Sequence, residues 1–360
     1  MFIKYLHINN YRNIDNCIFE PTEKINIICG DNAQGKTNLI ESIYYASIFK
    51  SFRTNKNNNL IKNGSENLNI ELIVTNNGVD NRLKVNLDRK NFKKITLNNK
   101  NPDSYIYKNL NTIIYYPDEI SLLKNNPSYR RNIIDKSIFF INNEYINIYR
   151  KYIKCLKQRN IFLKNKNIEK NKNTDVWRDQ LIEYGFLIIN ERTNYIARIN
   201  NIFKKLEISK KISEIYTLKY EDYGGKNIKD ELLKKFEKNR NKELKYGYSL
   251  AGPHLENFNF YINNNDINKY SSEGQKRSLL LSYKQAQLLD YKEHKGFYPI
   301  LLLDDIGTEL DDSRRNNIYN KLLADSGQVF ITTINLPNIA LDKTAILKVE
   351  NGIFSKFIFD

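Results

Sequence analysis

Apolar and polar positions alternate at the start of the chain, where Ile3, Tyr5 and Ile8 predict a β-strand. Lys24 to Cys29 is a short apolar run that stops at Gly30, the pattern of a buried strand. Behind Lys36 the period changes: Leu39, Ile40, Ile43, Tyr44 and Ala46 recur at three- and four-residue spacing, which predicts a helix with one apolar face. Leu68 to Val74 and Leu83 to Leu87 read as strands around the turn signal Asn76-Asn77-Gly78. From Asn126 to Tyr246 the texture becomes helical, with few glycines or prolines. Turn and strand signals return at Gly252. A helical pattern (Leu279, Leu280, Tyr283, Ala286, Leu289) follows Ser271, and an apolar strand runs from Pro299 to Leu303. Ile346–Val349 and Ile353–Phe357 flank the turn pair Asn351-Gly352 and predict a hairpin.

This order predicts an α/β fold with a mixed sheet. Two halves of one lobe, 1–125 and 247–360, enclose a mainly helical second lobe at 126–246. No internal repeat is visible, and the asparagine-rich patches at 55–59 and 263–265 read as loops.

The 360 residues carry a net charge of +16, which points to a polyanionic partner. The excess is localised: between Glu144 and Lys245 twenty-five Lys and Arg face fourteen Asp and Glu, a balance of +11. Heavy use of Asn, Lys and Ile dilutes the weight of any single lysine. No apolar run approaches the roughly 18–20 residues of a membrane helix, and the first ten residues lack the pattern of a signal peptide. Three cysteines and three histidines, without metal spacing, suggest neither a disulfide framework nor a His-ligated metal centre.

Gly30-Asp31-Asn32-Ala33-Gln34-Gly35-Lys36-Thr37 fits G-x-x-x-x-G-K-[ST] between a predicted buried strand and an amphipathic helix. Glycines let backbone N–H groups curl around phosphate oxygens, and the helix start adds partial positive charge. Lys36 would reach the β- and γ-phosphates of ATP, and the Thr37 hydroxyl would bind Mg²⁺. The strand at 299–303 ends in Asp304-Asp305. Asp304 would hold the Mg²⁺ shell, and Asp305 would position the attacking water; alone, such acids could equally cap a turn. Ser271-Ser272-Glu273-Gly274-Gln275 precedes a helix and offers a second anion-binding end, although an ordinary serine N-cap looks the same.

Phosphate loop, Ser272-x-Gly274-Gln275, an acid-tipped strand and then Thr308-Glu309-Leu310-Asp311: this order resembles the ABC-type ATPases. The resemblance implies an ABC-type ATPase head in which Ser272, Gly274 and Gln275 of one copy close on the γ-phosphate held by another. Asp311 takes the D-loop position. The switch histidine of that superfamily is absent; Thr332-Thr333 stand in its place. Tyr11-Arg12-Asn13-Ile14, Ser51-Phe52-Arg53-Thr54, Tyr116-Pro117-Asp118-Glu119, Arg130-Arg131 with Asp135, and Gly252-Pro253-His254 resemble a bacterial recombination-mediator branch, related to the heads of SMC and Rad50. Leu255-Glu256-Asn257 departs from that branch's Arg-Asp-Asp.

The branch implies an ATP-dependent homodimer on double-stranded and gapped DNA, with slow, DNA-dependent ATP hydrolysis as a switch. It also implies cooperation with RecR and RecO, through them loading of RecA, support of the SOS response, and a cytoplasmic, nucleoid-associated location with no membrane partner. Arg130 and Arg131, from a motif, and Arg150, Lys151 and Lys154, with Lys157 and Arg159 at near-helical spacing, are the candidate DNA contacts. A solvated helix face or a structural ion pair would give the same pattern.

Two rival classes share the nucleotide motifs. A transporter ATPase subunit places them much closer than the 268 residues between Lys36 and Asp304. A long-armed chromosome-organising ATPase needs extended heptads. The helical region here, folded back on itself, would reach at most about 90 Å and shows no sustained heptad.

Overall fold

A computed structural model describes residues 1–101, 109–164, 175–210, 214–220, 227–305, 322–324, 326–334 and 344–357. The chain divides into two compact units, 1–119 with 284–360, and 120–283.

The first unit contains two sheets. Strands β1 (Phe2–Tyr11), β2 (Ile14–Phe19), β4 (Asn67–Asn76), β5 (Val79–Asp88) and β6 (Lys93–Leu97) form an antiparallel sheet in the order β2-β1-β4-β5-β6. In β4 and β5 buried residues alternate with more accessible ones, as expected of a sheet with one face on a core. The other sheet runs β14-β13-β3-β12-β11-β7, with β3 (Ile25–Cys29), β7 (Thr112–Tyr115), β11 (Ile300–Leu303), β12 (Val329–Thr333), β13 (Thr344–Glu350) and β14 (Ile353–Phe357). All are parallel except β14, which closes the predicted hairpin with β13. Strands β11 and β12 are buried throughout; β11 reads as an unbroken apolar run, and β12 as an apolar run that ends in Thr332-Thr333. Two buried amides serve the backbone here. The Asn26 side chain bonds Thr22 and the Val329 carbonyl, and Gln328 bonds both N and O of Ile3. Helix α1 (Lys36–Ile48) follows β3 after the loop at 30–35 and is enclosed on more than the one apolar face its period predicts, with Glu41, Ser42, Tyr45 and Ser47 buried as well.

The second unit contains α2 (Glu119–Asn125), α3 (Pro127–Ile141), α4 (Asn143–Leu163), α5 (Val176–Lys210), α6 (Ile228–Tyr246) and the short α7 (Ile267–Tyr270). It also has a small antiparallel sheet, β10-β9-β8, made of β8 (Tyr216–Tyr220), β9 (Phe258–Ile262) and β10 (Asn265–Asp266). Strand β8 lies inside the stretch expected to be helical. Its pairing with β9 draws residues 247–283 into this unit, instead of into the C-terminal half of the first lobe. The chain returns to the first unit within α8 (Glu273–Lys295).

Arg192 is the largest fully buried side chain among the described residues and organises the second unit. It grips Asp135 through two hydrogen bonds of 2.8 and 2.9 Å, donates to the Pro253 carbonyl at 2.7 Å, and lies 3.4 Å from Glu256. Tyr145 donates to the same Asp135 carboxylate. Burial works against the Arg192 charge, but Asp135, Tyr145 and Glu256 offset it and hold its pKa well above the ordinary value. Gly252 has φ of +124°, and a Cβ there would lie 2.3 Å from the Tyr152 hydroxyl that bonds His254. The Arg-Arg-x-x-x-Asp and Gly-Pro-His segments therefore meet in one interior.

Candidate functional site

Strand β3 delivers the chain to Gly30, whose φ of +154° and close approach to the Val349 carbonyl leave no room for a side chain. Gly35, at φ +116°, sets the start of α1, where no side chain caps the helix and no acid lies in the first turn. The N–H groups of that turn are thus unclaimed by side chains, which suits an anion. Lys36 bends back along the loop and donates to the Gly30 and Asp31 carbonyls at 2.6 and 2.8 Å. Burial lowers its pKa, against the pull of Asp305, Asp304 and Asp31.

The carboxyl end of β11 brings Asp304 to this loop. The Thr37 hydroxyl lies 2.9 and 3.1 Å from the two Asp304 oxygens, and the Thr332 hydroxyl of β12 donates to Oδ1 at 2.7 Å. Burial raises the Asp304 pKa. The hydroxyls of Thr332 and Thr37 oppose this, and the neighbouring Asp305 adds to it. Asp305 adopts φ of +49°, uncommon for a non-glycine residue, and its N–H donates to the same Thr332 hydroxyl at 2.9 Å. Its Oδ1 is enclosed without a hydrogen-bond partner among the described residues. Thr332 thus holds a buried carboxylate with its proton and the strained backbone of the next residue with its lone pair. The oxygen donors Thr37 and Asp304 are of the kind that suits Mg²⁺.

The loop is braced from two sides. Asn13 donates to the Gln34 carbonyl at 3.1 Å and accepts from Asn38 at 2.6 Å. The turn of the β13–β14 hairpin supplies N–H donors from Asn351 and Gly352 to the side chain and backbone of Gln34. Arg12 forms a two-point contact with buried Glu41, which also accepts from Ser51, and Arg53 donates to Asn38 at 2.8 Å. A cleft of about 550 Å³ opens over this surface, lined by the loop with Arg12, Arg53, Asn59, Asp305 and Thr332. It offers a cationic, donor-rich wall with the Asp305 carboxylate and, behind Thr37 and Thr332, buried Asp304, an arrangement able to hold a nucleotide's phosphate chain.

The structure brings the loop from Gly30 to Thr37 together with Asp304 and Asp305 at the end of β11. Asp311 lies outside the described residues. Ser272, Gly274 and Gln275 lie in the second unit, where Ser272 and Gln275 cap each other reciprocally at 2.9 and 3.2 Å, and Gln275 also donates to Glu214 at 3.1 Å.

The candidate DNA contacts separate. Arg130 is buried, bonded to the Leu123 and Lys124 carbonyls and to Asn257, while Arg131 donates to the Glu256 carbonyl and Ser128. Arg159 is buried among Asp175, Glu243 and Ser249. Arg150, Lys151 and Lys154 stand exposed on α4. The sequence motifs containing Arg12, Asn13, Arg53 and Thr332 were visible without roles, because nothing local shows that they converge on the loop.

A phosphate loop at the end of a central parallel strand, an acid-tipped strand two places away and a separate helical unit define the head of an ABC-type ATPase, as found in SMC proteins. The SMC head bound to the C-terminal winged-helix domain of ScpA has this fold, with a TM-score of 0.58 at 13% identity, covering 99% of this chain and 97% of that one. The RecF/RecN/SMC N terminal domain model matches residues 2–353, and the chain belongs to the RecF family. It is 37% identical to the DNA replication and repair protein RecF of Clostridium botulinum (strain Loch Maree / Type A3) over 99% of this chain and all of that one. With RecF of Clostridium tetani the identity is 35%, over 98% and 99% of the two chains. A solved structure of the recombination mediator protein RecF-ATP in the RecFOR pathway superposes with a TM-score of 0.87 at 31% identity, covering 99% of each chain.

Proposed function

We propose that the protein is an ATP-gated, DNA-binding mediator of recombinational repair and replication restart, acting in the cytoplasm at single-strand gaps and duplex junctions. The observation that carries this reading is that Lys36, Thr37, Asp305 and Thr332 line one cleft, with Asp304 bonded to Thr37 and Thr332 behind it. Lys36 and the loop N–H groups bind the phosphates of ATP. Thr37 and Asp304 hold Mg²⁺, which neutralises phosphate charge when bound. Asp305, with one carboxylate oxygen unpartnered, orients the attacking water. Ser272, Gly274 and Gln275 of a second copy complete the site, so ATP bridges two chains and its slow hydrolysis releases them, with Asp311 at the D-loop position. Exposed Arg150, Lys151 and Lys154 meet DNA phosphates, while Arg130 and Arg131 hold the second unit together. Kinship with RecF in the RecFOR pathway supports RecO and RecR as partners, RecA as the recombinase they load and a part in SOS induction.

Sedimentation with and without ATP·Mg²⁺, then with duplex DNA, tests this. The native chain is expected to dimerise only with nucleotide, Lys36→Arg to remain monomeric, and Asp305→Asn to persist as a dimer that binds duplex more tightly. A chain that stays monomeric with nucleotide and ignores DNA at moderate salt overturns the reading.

A further inference from the structure

At the C-terminal end of α6 the chain reads Lys245-Tyr246-Gly247-Tyr248. Residues two apart on a helix point to opposite sides. Here Gly247 caps the helix with φ of +75°, the left-handed turn that glycine adopts without strain. The reversal brings the two tyrosine rings face to face, with centroids 5.9 Å apart and planes only 19° from parallel. Both rings remain in solvent, with Tyr246 52% and Tyr248 47% exposed. A Cβ on Gly247 would also lie 2.9 Å from Lys164 Cγ, so the end of α4 packs beside this turn.

The surroundings are cationic in a specific way. Between Arg150 and Lys164 there is no acidic residue, and the basic residues other than Arg159 are exposed. On α6 the one acid between Lys238 and Tyr248 is Glu243, which is buried and paired with Arg159. That pair and the bonds of Asn160 to Ser249 lock the two helix ends side by side. The outcome is a solvent-facing aromatic pair set beside exposed Lys164 and Lys245, with the acid of this helix end, Glu243, buried against Arg159.

We propose that the Tyr246–Tyr248 pair is a stacking platform for the bases of single-stranded DNA, with Lys164 and Lys245 receiving the flanking phosphates. Exposed aromatic faces beside a basic track bind unpaired bases irrespective of sequence, whereas paired bases keep their faces inside the duplex. Charge favours an anionic partner over an apolar patch, and the exposed stacked rings beside the lysines favour nucleic acid, which offers base faces with its phosphates, over an acidic protein patch. The proposal rests on the DNA-binding reading above and adds to it a contact that tells an unpaired strand from a duplex.

The test uses the full-length chain and fluorescence anisotropy with three labelled probes: a short oligothymidylate, an abasic strand of equal length, and a duplex. The native chain is expected to bind oligothymidylate roughly tenfold or more tighter than the abasic strand. Tyr246→Ala with Tyr248→Ala should erase that preference, leaving affinity for the abasic strand, duplex binding and ATP-dependent dimerisation unchanged. Tyr246→Phe with Tyr248→Phe should keep it. A native chain that does not distinguish the two single strands, or a double alanine variant that still does, overturns the platform. Where duplex binding persists in such a result, only the platform fails; where duplex binding is also missing, the DNA reading fails with it.

Discussion

The phosphate-loop cleft and the Arg192 cluster are both built from charged residues that lie far apart in sequence, yet they end in opposite states. In the cluster, charge is mostly answered from within: Arg192 spans Asp135, the Pro253 carbonyl and Glu256, and one Glu256 oxygen is left without a partner among the described residues. In the cleft, charge is left to be answered. The first turn of α1 carries no side-chain cap, one Asp305 oxygen has no partner among the described residues, and Lys36 rests on carbonyls that a phosphate would displace. Positive φ at non-glycine residues falls on the cleft's side of the divide, at Ala33 and Asp305. A motif that closes on itself stabilises a fold, whereas a motif that holds unsatisfied groups at a cleft is prepared for a ligand.

The largest effect should come from opening the closed region. Arg192→Met is expected to cost about 3–5 kcal/mol of stability, since it strands the Asp135 carboxylate in the interior. Denaturant unfolding measures this, and a loss under about 1 kcal/mol would mean that the cluster is no keystone.

A smaller effect concerns pH. Burial pushes the Glu256 carboxyl up to about 8, against the attraction of Arg192. Between its ordinary value and 8 the folded chain holds a proton that the unfolded chain releases, so this group's contribution is complete at low pH and declines as pH rises through 8. His254, pushed down to about 4 chiefly by burial, runs the other way: its contribution is complete above its ordinary value and falls as the pH drops toward 4. Above pH 6.5 only Glu256 of these two still titrates. The native chain should therefore lose up to about 2 kcal/mol between pH 6.5 and 8 relative to Glu256→Gln. Parallel stability curves for the two proteins would remove Glu256 from the account.

The smallest effect lies at the cleft. Thr332→Val keeps the shape of the side chain and removes its hydroxyl, so Asp304 loses a donor and the Asp305 N–H an acceptor. Nucleotide affinity should hold within a few-fold while hydrolysis slows roughly tenfold, the size of one buried hydrogen bond. Thr332→Ser should restore it. Equal losses in Val and Ser variants would assign the effect to packing.

Much of this was legible in the chain. The glycine spacing before Lys36, the apolar run ending in Asp304 and the change of period at α1 are local signals, and the structure places all three at one cleft. Strand β8 does carry a local signal, since Tyr216, Leu218 and Tyr220 alternate with Thr217 and Lys219, but five residues inside a helical, lysine-rich stretch gave it too little weight beside its neighbours. Arg130, Arg131 and Arg159 carry the same charge and similar spacing as Arg150, Lys151 and Lys154, yet the first group is claimed by carbonyls and carboxylates from elsewhere.

Residue order was therefore enough to determine which backbone segments form the phosphate loop, the acidic strand and the closing hairpin, since those depend on periodicity and on where glycine permits a turn. Only the tertiary structure decided which charges were spent on holding the fold and which were left for a ligand. Burial and hydrogen-bond partnership arise between residues that the sequence keeps far apart, and no local pattern records them.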